Sequence, residues 1–338
     1  MLSALDVENV LWSDDGDSDF ARGKIVGILL DEPSTRNRFS TMVAATQLGA
    51  TAVVSEDFQR LSIAKGETLE DTIRVLGVYF DVLAIRSALA GMPRLLQTYT
   101  SRPVVSLGDG ANEHPTQALA TLVSLRKYFA RLDGLHIVLW GDLAASRSAH
   151  SVLLSAAVAN LRVTLCAAKG YRMPASYIAI ARTVRPEIQL AETDAEDDIR
   201  DSDVLYLNRE QRERHDVCVA GRYAPTDDLV ARAKLVLHPL PRGPELSAET
   251  WRCRAPEIME HVQSGLRARR LALQGALSGM SQPSMLDRLS VQKTARTCAN
   301  PRCAAVALHN QGADIEWRAI DLARHSACGW CLTPIAWE

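Results

Sequence analysis

A serine, a threonine and an arginine stand directly behind the first strongly apolar run of the chain. The run KIVGILLD (24–31) predicts a buried strand, after which Ser34, Thr35 and Arg36 open a segment with helical spacing. A helix that begins where a strand ends presents free backbone N–H groups, and here two hydroxyls and a guanidinium join them. This combination suits an oxyanion such as phosphate, although Ser-Thr at a helix start is more often a simple N-cap.

A histidine and a glutamine follow the fourth apolar run, PVVSLGD (103–109). Pro115 fixes the backbone of a first helical turn, so that His114 stands just ahead of the helix and Gln117 on its first turn. Both side chains can reach the carboxyl ends of the strands, where open α/β sheets bind ligands. A single histidine here more often has a structural role, so the motif gains meaning only in combination.

Four of the seven cysteines lie near the end of the chain as two close pairs, Cys298 with Cys303 and Cys328 with Cys331. Two close pairs with 24 residues between them are typical of a metal site rather than of a disulfide framework. Four thiolates can surround one tetrahedral Zn²⁺, which would replace the core that so short a segment lacks. We therefore predict one structural zinc ion per chain, and no catalytic cofactor.

Short apolar runs alternate with helical ones, and these elements must position the polar residues. Helical spacing appears in 37–48, 68–79 and 116–130. Strands are predicted at 24–31, 51–56, 81–86 and 103–109, and after a restart at 135–142, 162–168, 188–193, 203–208 and 234–240. The alternation is typical of parallel sheets with helices on both faces.

The sequence therefore predicts an α/β protein with two doubly wound parallel-sheet domains joined by a helix, plus a small C-terminal zinc domain with four cysteine ligands. The expected bounds are 1–130, 131–280 and 281–338. An amphipathic helix at 255–279 is expected to pack back on the first domain, and MSQPSM (280–285) is expected to be a linker.

Composition and missing motifs exclude several classes of protein. With 338 residues, 47% of them apolar and 23% charged, and a net charge of −2, the chain is neither disordered nor a basic nucleic-acid coat. No apolar run approaches the roughly 18–20 residues that span a bilayer, and the acidic N-terminus lacks the features of a signal peptide. We expect a cytoplasmic protein without nucleic-acid or membrane partners. Neither GxxxxGK[ST] nor GxGxxG after a strand is present, so an ATPase or a dehydrogenase loses its main support.

In combination, the motifs resemble the aspartate/ornithine carbamoyltransferase family. The first half carries Ser-Thr-Arg (34–36), Lys-Gly-Glu-Thr-Leu (65–69), Arg86 and His-Pro-Thr-Gln (114–117). The second half resembles the aspartate-specific members in Gly-Asp-Leu (141–143) with Arg147, Arg-Glu-Gln (209–211) and His-Pro-Leu-Pro-Arg (238–242). The motifs cover about residues 24–275 in the family's order and at its spacing.

The resemblance implies a role for each matched residue. Carbamoyl phosphate would be bound by Ser34, Thr35, Arg36, Asn37, Arg86, His114 and Gln117. Aspartate would be bound by Lys65, Arg147, Arg209, Gln211 and the backbone at Leu240 and Pro241. The catalytic residues would be Arg36, Arg86, His114 and Lys65, of which Lys65 belongs to a loop that enters the neighbouring subunit's site in a homotrimer. Asn37 is a departure, because the family usually has threonine there.

The implied chemistry is an attack by the amine of L-aspartate on the carbonyl of carbamoyl phosphate, the committed step of pyrimidine synthesis. Arg36, Arg86 and an N–H of His114 would stabilise the tetrahedral oxyanion. Two fixed arginines would orient the dicarboxylate nucleophile. The departing phosphate can take the amine proton, so no cysteine or serine nucleophile is needed.

The string CANPRC…CGWC (298–331) resembles the zinc domain of the regulatory chain of bacterial aspartate carbamoyltransferase. That domain normally lies on a separate polypeptide and docks on the catalytic chain, whereas here it is fused. The resemblance implies a structural, subunit-contacting domain that could support an assembly beyond the trimer. A generic zinc ribbon that binds nucleic acid is the alternative interpretation.

Two other functions stay open at this point. A paralogue could carbamoylate another amino acid in a specialised pathway, because Asn37 and a short N-terminal region depart from the family. A weakly active regulatory or scaffold homologue could have kept the fold and gained a zinc domain. Retention of nearly every charged site residue argues against this second alternative.

Overall fold

The computed structural model describes residues 19–56, 61–199, 202–215, 224–279, 291–295, 297–322 and 325–335. These residues form two compact units, of which the first contains residues up to 116 and again from 266, and the second contains residues 117–265. The units thus divide within two helices, between Thr116 and Gln117 and between Gly265 and Leu266. The predicted domain bounds at 130 and 280 stay a prediction, and the predicted linker (280–285) lies outside the described residues.

The first unit contains a parallel sheet in the order β2-β1-β3-β4. Its central strands are apolar and almost entirely buried, as expected when helices cover both faces, whereas β2 at the edge is half exposed. The strands are β1 (Ile25–Leu30), β2 (Thr51–Glu56), β3 (Val82–Ser87) and β4 (Val104–Asp109). The helices that follow them are α1 (Thr35–Gln47), α2 (Leu69–Tyr79), α3 (Met92–Tyr99) and α4 (Pro115–Phe129).

Helix α3 is absent from the sequence prediction. The signal for it is weak because the helix has only eight residues and a proline at its second position. Its apolar side chains Met92, Leu95 and Leu96 nevertheless have the spacing of one helical face, and all three are buried.

The second unit contains a five-stranded parallel sheet in the order β7-β6-β5-β8-β9. All five predicted strands are present, so the α/β prediction is confirmed in both units. The strands are β5 (His136–Gly141), β6 (Arg162–Cys166), β7 (Leu190–Thr193), β8 (Val204–Asn208) and β9 (Leu235–Leu237). The helices are α5 (Arg147–Val158), α6 (Ala175–Val184), α7 (Asp227–Arg232) and α8 (Ala248–Leu277).

Helix α8 begins seven residues before the predicted start at 255. Ser247 accepts the N–H of Thr250 at 3.0 Å and so caps the helix, while Pro256 lies inside it. The prediction placed the start near this proline, a residue that prefers the first turn. From Leu266 onwards the helix belongs to the first unit, where Leu273 enters the core of the sheet.

The cysteine-containing segment, here called the cysteine module (residues 291–335), forms an antiparallel sheet in the order β10-β11-β12-β13. Its elements are β10 (Val291–Lys293), α9 (Ala304–His309), β11 (Arg318–Leu322), β12 (His325–Cys328) and β13 (Pro334–Ile335). Its buried residues form one hydrophobic cluster with β1, β3, α2 and α3 of the first unit. Among the helices of the described ranges, none is long and apolar enough to cross a membrane.

Candidate active site and cysteine cluster

The predicted oxyanion site lies at the start of α1, just behind the carboxyl end of β1. Ser34 is the N-cap, because its Oγ accepts the N–H of Asn37 at 3.3 Å. Thr35 is exposed and Arg36 is half-buried on the first turn, which contains no acidic side chain. The positive end of the helix dipole and the Arg36 guanidinium therefore act on this turn together.

Arg86 lies at the end of β3, in register with Leu30 of the neighbouring strand β1. Its guanidinium forms an ion pair with Glu32 at 2.9 Å, with both side chains largely buried. Parallel pairing thus brings Arg86 to the same sheet edge as the start of α1. A ligand anion at Arg86 must compete with the carboxylate of Glu32 or share the guanidinium with it.

Asn37 is buried beneath the first turn of α1. Its Nδ2 donates to the carbonyl of Leu107 at 2.7 Å, and its Oδ1 accepts from the guanidinium of Arg269 on α8. Arg269 is itself buried, and its pKa is lowered to about 10, mainly by burial and further by the charge of Arg36. The side chain of Asn37 therefore fixes a second arginine next to Arg36.

His114 lies at the end of the loop that leads from β4 into α4. Its ring is buried, and its Nδ1 lies 3.3 Å from the hydroxyl of Thr116. Gln117 belongs to the second unit in the division of the chain. Its amide lies 2.8 Å from Nε2 of the buried His261, whose Nδ1 lies 2.8 Å from the hydroxyl of Ser124.

The predicted aspartate-binding residues of the second unit are organised by one buried carboxylate, Asp142, at the end of β5. It accepts the N–H of Ala145 at 3.0 Å, the N–H of Gln211 at 2.9 Å and a ring N–H of His215 at 2.6 Å. Two segments, 142–147 and 209–215, therefore meet at this carboxylate. Arg147, the first residue of α5, is buried two residues beyond Ala145.

Arg209 follows the end of β8 and pairs with Glu213, whose Oε2 lies 3.1 Å from Nη1. Burial of Glu213 opposes its ionisation, but the hydrogen bond from Arg209, a backbone hydrogen bond and the charges of Arg209 and Arg214 together lower its pKa. The side chain of Gln211 donates to the carbonyl of Arg209 at 3.2 Å. Hydrogen bonds within residues 209–213 therefore fix the side chains of Arg209 and Gln211 relative to each other, next to the carboxylate of Asp142.

Leu240 and Pro241 lie in a tight bend after β9, joined by a cis peptide bond. Leu240 has a φ of +53°, a conformation that leucine rarely adopts. The buried His238 holds the bend, because its Nδ1 accepts the N–H of Leu240 at 2.8 Å and its Nε2 donates to Glu245 at 2.8 Å. Because the N–H of Leu240 is already hydrogen-bonded to His238, the backbone groups that this bend can offer to a ligand are its carbonyl oxygens.

Lys65 ends a 3₁₀ helix (Ser62–Lys65) and is exposed. Within the described parts of the chain, its amine forms neither a hydrogen bond nor an ion pair. The structure of one chain therefore does not bring Lys65 together with the other predicted residues of the first unit.

Comparison with known proteins decides the family. Residues 4–127 match the family model described as aspartate/ornithine carbamoyltransferase, carbamoyl-P binding domain. The aspartate carbamoyltransferase catalytic subunit of Thermoplasma acidophilum is 36% identical over 242 residues, covering 69% of this chain and 79% of that protein. The corresponding protein of Archaeoglobus fulgidus is 40% identical over 232 residues, covering 66% and 76%. The chain belongs to the aspartate/ornithine carbamoyltransferase family.

Solved structures of this family agree with the fold. An aspartate transcarbamoylase from Trypanosoma cruzi in complex with carbamoyl phosphate matches with a TM-score of 0.73 and 28% identity, covering 81% of this chain and 93% of that one. The catalytic subunit of the M. jannaschii enzyme matches with a TM-score of 0.69 and 30% identity, covering 82% and 93%. The predicted fold and the predicted class of enzyme, a carbamoyltransferase, are confirmed.

Four cysteines of this carbamoyltransferase-family chain form a buried cluster within the cysteine module. The sulfurs of Cys298, Cys303, Cys328 and Cys331 all lie within 4.8 Å of one another. A tetrahedral zinc site with Zn–S bonds of about 2.3 Å separates its sulfurs by roughly 3.8 Å. The N–H of Asn300 donates to Cys298 at 3.4 Å, as it would to a thiolate. The cluster therefore fits a metal ion.

Three residues that contact members of the predicted site in this family member were not recognised as such from the sequence. Asp142 was visible in the Gly-Asp-Leu motif but was given no role. Glu32 stands two residues before Ser34, and proximity to the motif was the only signal for it. Arg269 had no signal at all, since its contact with Asn37 spans 232 residues of the chain.

Proposed function

We propose that this chain is an aspartate carbamoyltransferase that converts carbamoyl phosphate and L-aspartate to N-carbamoyl-L-aspartate and phosphate in pyrimidine synthesis. The observation that carries the proposal is the presence of two basic groups at strand ends, Ser34–Arg36 with Arg86 in one unit and Arg147 with Arg209 in the other. The relatives support it, since a T. cruzi aspartate transcarbamoylase is described in complex with carbamoyl phosphate and aspartate.

The first unit would bind the phosphate of carbamoyl phosphate. The N–H groups at the start of α1, the hydroxyls of Ser34 and Thr35 and the Arg36 guanidinium would together form an anion site of backbone and side-chain donors. Arg86 would add a guanidinium between the phosphate and the carbamoyl oxygen after exchanging its pairing with Glu32. The buried Arg269 would add positive charge behind Arg36.

His114 would donate a hydrogen bond to the oxygen that becomes negative when the carbonyl is attacked. With the Thr116 hydroxyl donating to Nδ1, the ring proton of His114 would lie on Nε2, which can then serve as the donor. Fixed donors placed where charge develops supply the largest usual contribution to such catalysis. The amine proton of aspartate would go to the departing phosphate.

The second unit would bind aspartate. Arg147 and Arg209 supply two guanidiniums for two carboxylates, Gln211 supplies an amide, and the Leu240–Pro241 bend supplies carbonyls that can accept from an amine. Selectivity follows from charge, because ornithine carries a second amine where aspartate carries a carboxylate.

The test is an assay of the purified protein with carbamoyl phosphate and a panel of amine acceptors. We expect kcat/KM for aspartate to exceed that for ornithine by orders of magnitude. Arg209→Ala should raise the KM for aspartate strongly, as the loss of a paired guanidinium contact would. Equal turnover of ornithine would contradict the acceptor, and turnover of none of the amines would favour a scaffold protein.

We further propose a homotrimer in which Lys65 completes the site of a neighbouring subunit. The exposed position of Lys65 supports this, as does an exposed apolar surface on α1 and β2 that contains Phe39, Val43 and Val53. Lys65→Ala and His114→Ala proteins should each be nearly inactive and should regain activity when mixed and reassembled. No recovery in hybrid trimers of proven composition would place Lys65 outside the shared site.

We propose that the cysteine cluster holds one structural Zn²⁺ per chain through Cys298, Cys303, Cys328 and Cys331. When bound, the ion would hold the two ends of the cysteine module together by coordination. Metal content by atomic spectroscopy should give one zinc per chain, lost in Cys328→Ser but kept in Cys253→Ser, which removes an exposed cysteine outside the cluster. A zinc-free native protein would contradict the assignment.

A further inference from the structure

We propose that the cysteine module positions the catalytic histidine, and that Arg94 and Glu113 form the connection. The inference rests on the proposed role of His114. The module would then be part of the catalytic framework of its own chain, in addition to any contact between subunits.

The module is attached to the segment that starts α3. Ala90 donates its N–H to the carbonyl of Arg302 at 2.9 Å and accepts the N–H of Ala304 at 2.8 Å, as in a short bridge between strands. Cys303, a member of the cysteine cluster, lies between these two partners and is fully buried. The backbone next to the metal-binding sulfur is therefore fixed to the backbone before α3.

Gly91 brings the two segments closer than another residue could. Its φ is +86°, and a Cβ placed on it would lie 2.5 Å from the carbonyl oxygen of Trp330. Both the conformation and the space require glycine here. Trp330 directly precedes Cys331, so a second ligand of the cluster is also tied to the start of α3.

Arg94 spans the distance from the module to the loop that carries His114. Its Nη1 donates to the carbonyls of Gly329 at 3.1 Å and Trp330 at 3.0 Å. Its Nη2 lies 3.8 Å from Oε2 of Glu113, and both side chains are largely buried. Glu113 directly precedes His114 in the chain.

The loop itself is fixed to the same place by Asp109, a fully buried carboxylate. Its Oδ2 accepts the N–H of Gly91 at 2.6 Å and Nδ2 of Asn112 at 2.9 Å. The Oδ1 of Asp109 accepts the N–H of Glu113 at 3.1 Å, and the backbone N–H of Asp109 donates to the carbonyl of Glu113, also at 3.1 Å. The residue before His114 is thus held both through its backbone, by Asp109 and Gly91, and through its side chain, by Arg94.

A contact that only stabilises the first unit would change its unfolding but not the chemistry. A contact that positions His114 changes the rate at saturating substrate, because misplacement of a reacting group by about 1 Å can cost up to ~100-fold. The two possibilities therefore differ in kcat and in the environment of the His114 ring.

The test compares Arg94→Gln with a matched control, Arg102→Gln, in the full-length protein. Arg102 also donates to a backbone carbonyl, that of Gly77 at 3.0 Å, and also lies near a carboxylate, that of Asp81 at 4.0 Å. We expect Arg94→Gln to lower kcat about tenfold, with the affinity for inorganic phosphate nearly unchanged because Ser34–Arg36 are intact. Arg94→Lys should recover part of the loss, and Arg102→Gln should leave kcat unchanged.

The histidine ring supplies a readout that does not depend on turnover. In protein with isotope-labelled histidine, Arg94→Gln and Glu113→Gln should shift the ring signal of His114, assigned with His114→Asn, while Arg102→Gln should not. An unchanged kcat and an unchanged His114 signal in the folded variants would overturn the proposal, as would an equal loss in Arg102→Gln. If Arg94→Gln does not fold, Glu113→Gln decides by the same two measurements.

A wild-type protein that turns over none of the amines would remove the proposed function, whereas the ring signal would still decide whether the module positions His114.

Discussion

The two parallel sheets are built alike at their amino ends and differently at their carboxyl ends. In the first sheet Asp81 accepts the N–H of Ile25 at 2.9 Å and pairs with Lys24. In the second, Asp203 accepts the N–H of His136 at 2.9 Å and pairs with Lys234. In both cases an aspartate next to one strand caps the first residue of the central strand beside it.

At the carboxyl ends the resemblance stops. The first unit builds its candidate anion site from consecutive residues, Ser34–Asn37, with Arg86 added by the neighbouring strand. The second unit assembles its candidate site from two distant segments, 142–147 and 209–215, that meet at the buried Asp142. The first site is therefore mainly a property of one helix start, whereas the second depends on tertiary contacts at a single carboxylate, Asp142.

The largest effect is therefore expected from Asp142→Ala. Two backbone N–H groups and the ring of His215 would lose their acceptor, and each buried donor left unsatisfied costs about 1–3 kcal/mol. We expect kcat/KM for aspartate to fall at least ~100-fold, while inorganic phosphate still binds to the first unit. Steady-state kinetics and calorimetry with phosphate measure the two effects. A loss of phosphate affinity equal to the loss for aspartate would show that the first unit also depends on this carboxylate.

A smaller effect is expected from Glu213→Gln, which removes the carboxylate that holds Arg209. Without Glu213, the guanidinium of Arg209 would be less well oriented toward a carboxylate of aspartate. The KM for aspartate should therefore rise about tenfold, with a smaller change in kcat. Glu187→Gln is a matched control, since Glu187 pairs with Arg185 at 2.9 Å on the surface of the same unit. An unchanged KM would show that Arg209 is positioned without Glu213.

The corresponding change in the first unit, Glu32→Gln, should act in the opposite direction. Backbone N–H groups form most of that site, and Glu32 competes with a ligand for Arg86. Phosphate affinity should therefore increase by a few fold, as expected when a competing charge is removed from a half-buried guanidinium. Titration calorimetry with inorganic phosphate measures it. Weaker binding would mean that Glu32 orients Arg86 rather than competes for it.

The smallest effects are expected at Asp81 and Asp203, the aspartates that cap a central strand at the amino end of each sheet. The hydrogen bond from Ile25 foremost lowers the pKa of Asp81, and that from His136 lowers the pKa of Asp203 against the opposing effect of burial. A carboxyl whose pKa is lowered by folding stabilises the protein above its unfolded value of 3.8, and this contribution disappears as the pH falls through the folded pKa. Asp81→Asn and Asp203→Asn should each destabilise by about 1 kcal/mol near neutral pH and by less below the unfolded value.

Thermal unfolding of the wild type, Asp81→Asn and Asp203→Asn as a function of pH measures this difference in stability. The kcat should be unchanged in both variants. A loss of activity in Asp203→Asn comparable to that of Asp142→Ala would contradict the view that only the carboxyl ends carry the chemistry.

The positions of the strands along the chain and the candidate oxyanion segment were predicted from the sequence because their causes are local. Apolar runs such as 24–31 and 135–142 are long enough to be recognised alone, and the Ser34 cap reaches only three residues along the chain. The exceptions are also local in origin. Helix α3 is too short for a clear period, and Pro256 made the start of α8 look later than Ser247 sets it.

The sequence by itself thus determined which elements form and which residue types stand at their ends, since periodicity and capping act over a few residues. Only the tertiary structure decided which of those side chains meet. Asp142 accepts a hydrogen bond from a residue 69 positions away, Asn37 accepts one from a residue 232 positions away, and Arg94 donates one to a carbonyl 235 positions away. Each contact satisfies a polar group that becomes buried only when the sheets and helices pack, and the partner of a buried group is fixed by that packing rather than by its neighbours in the chain.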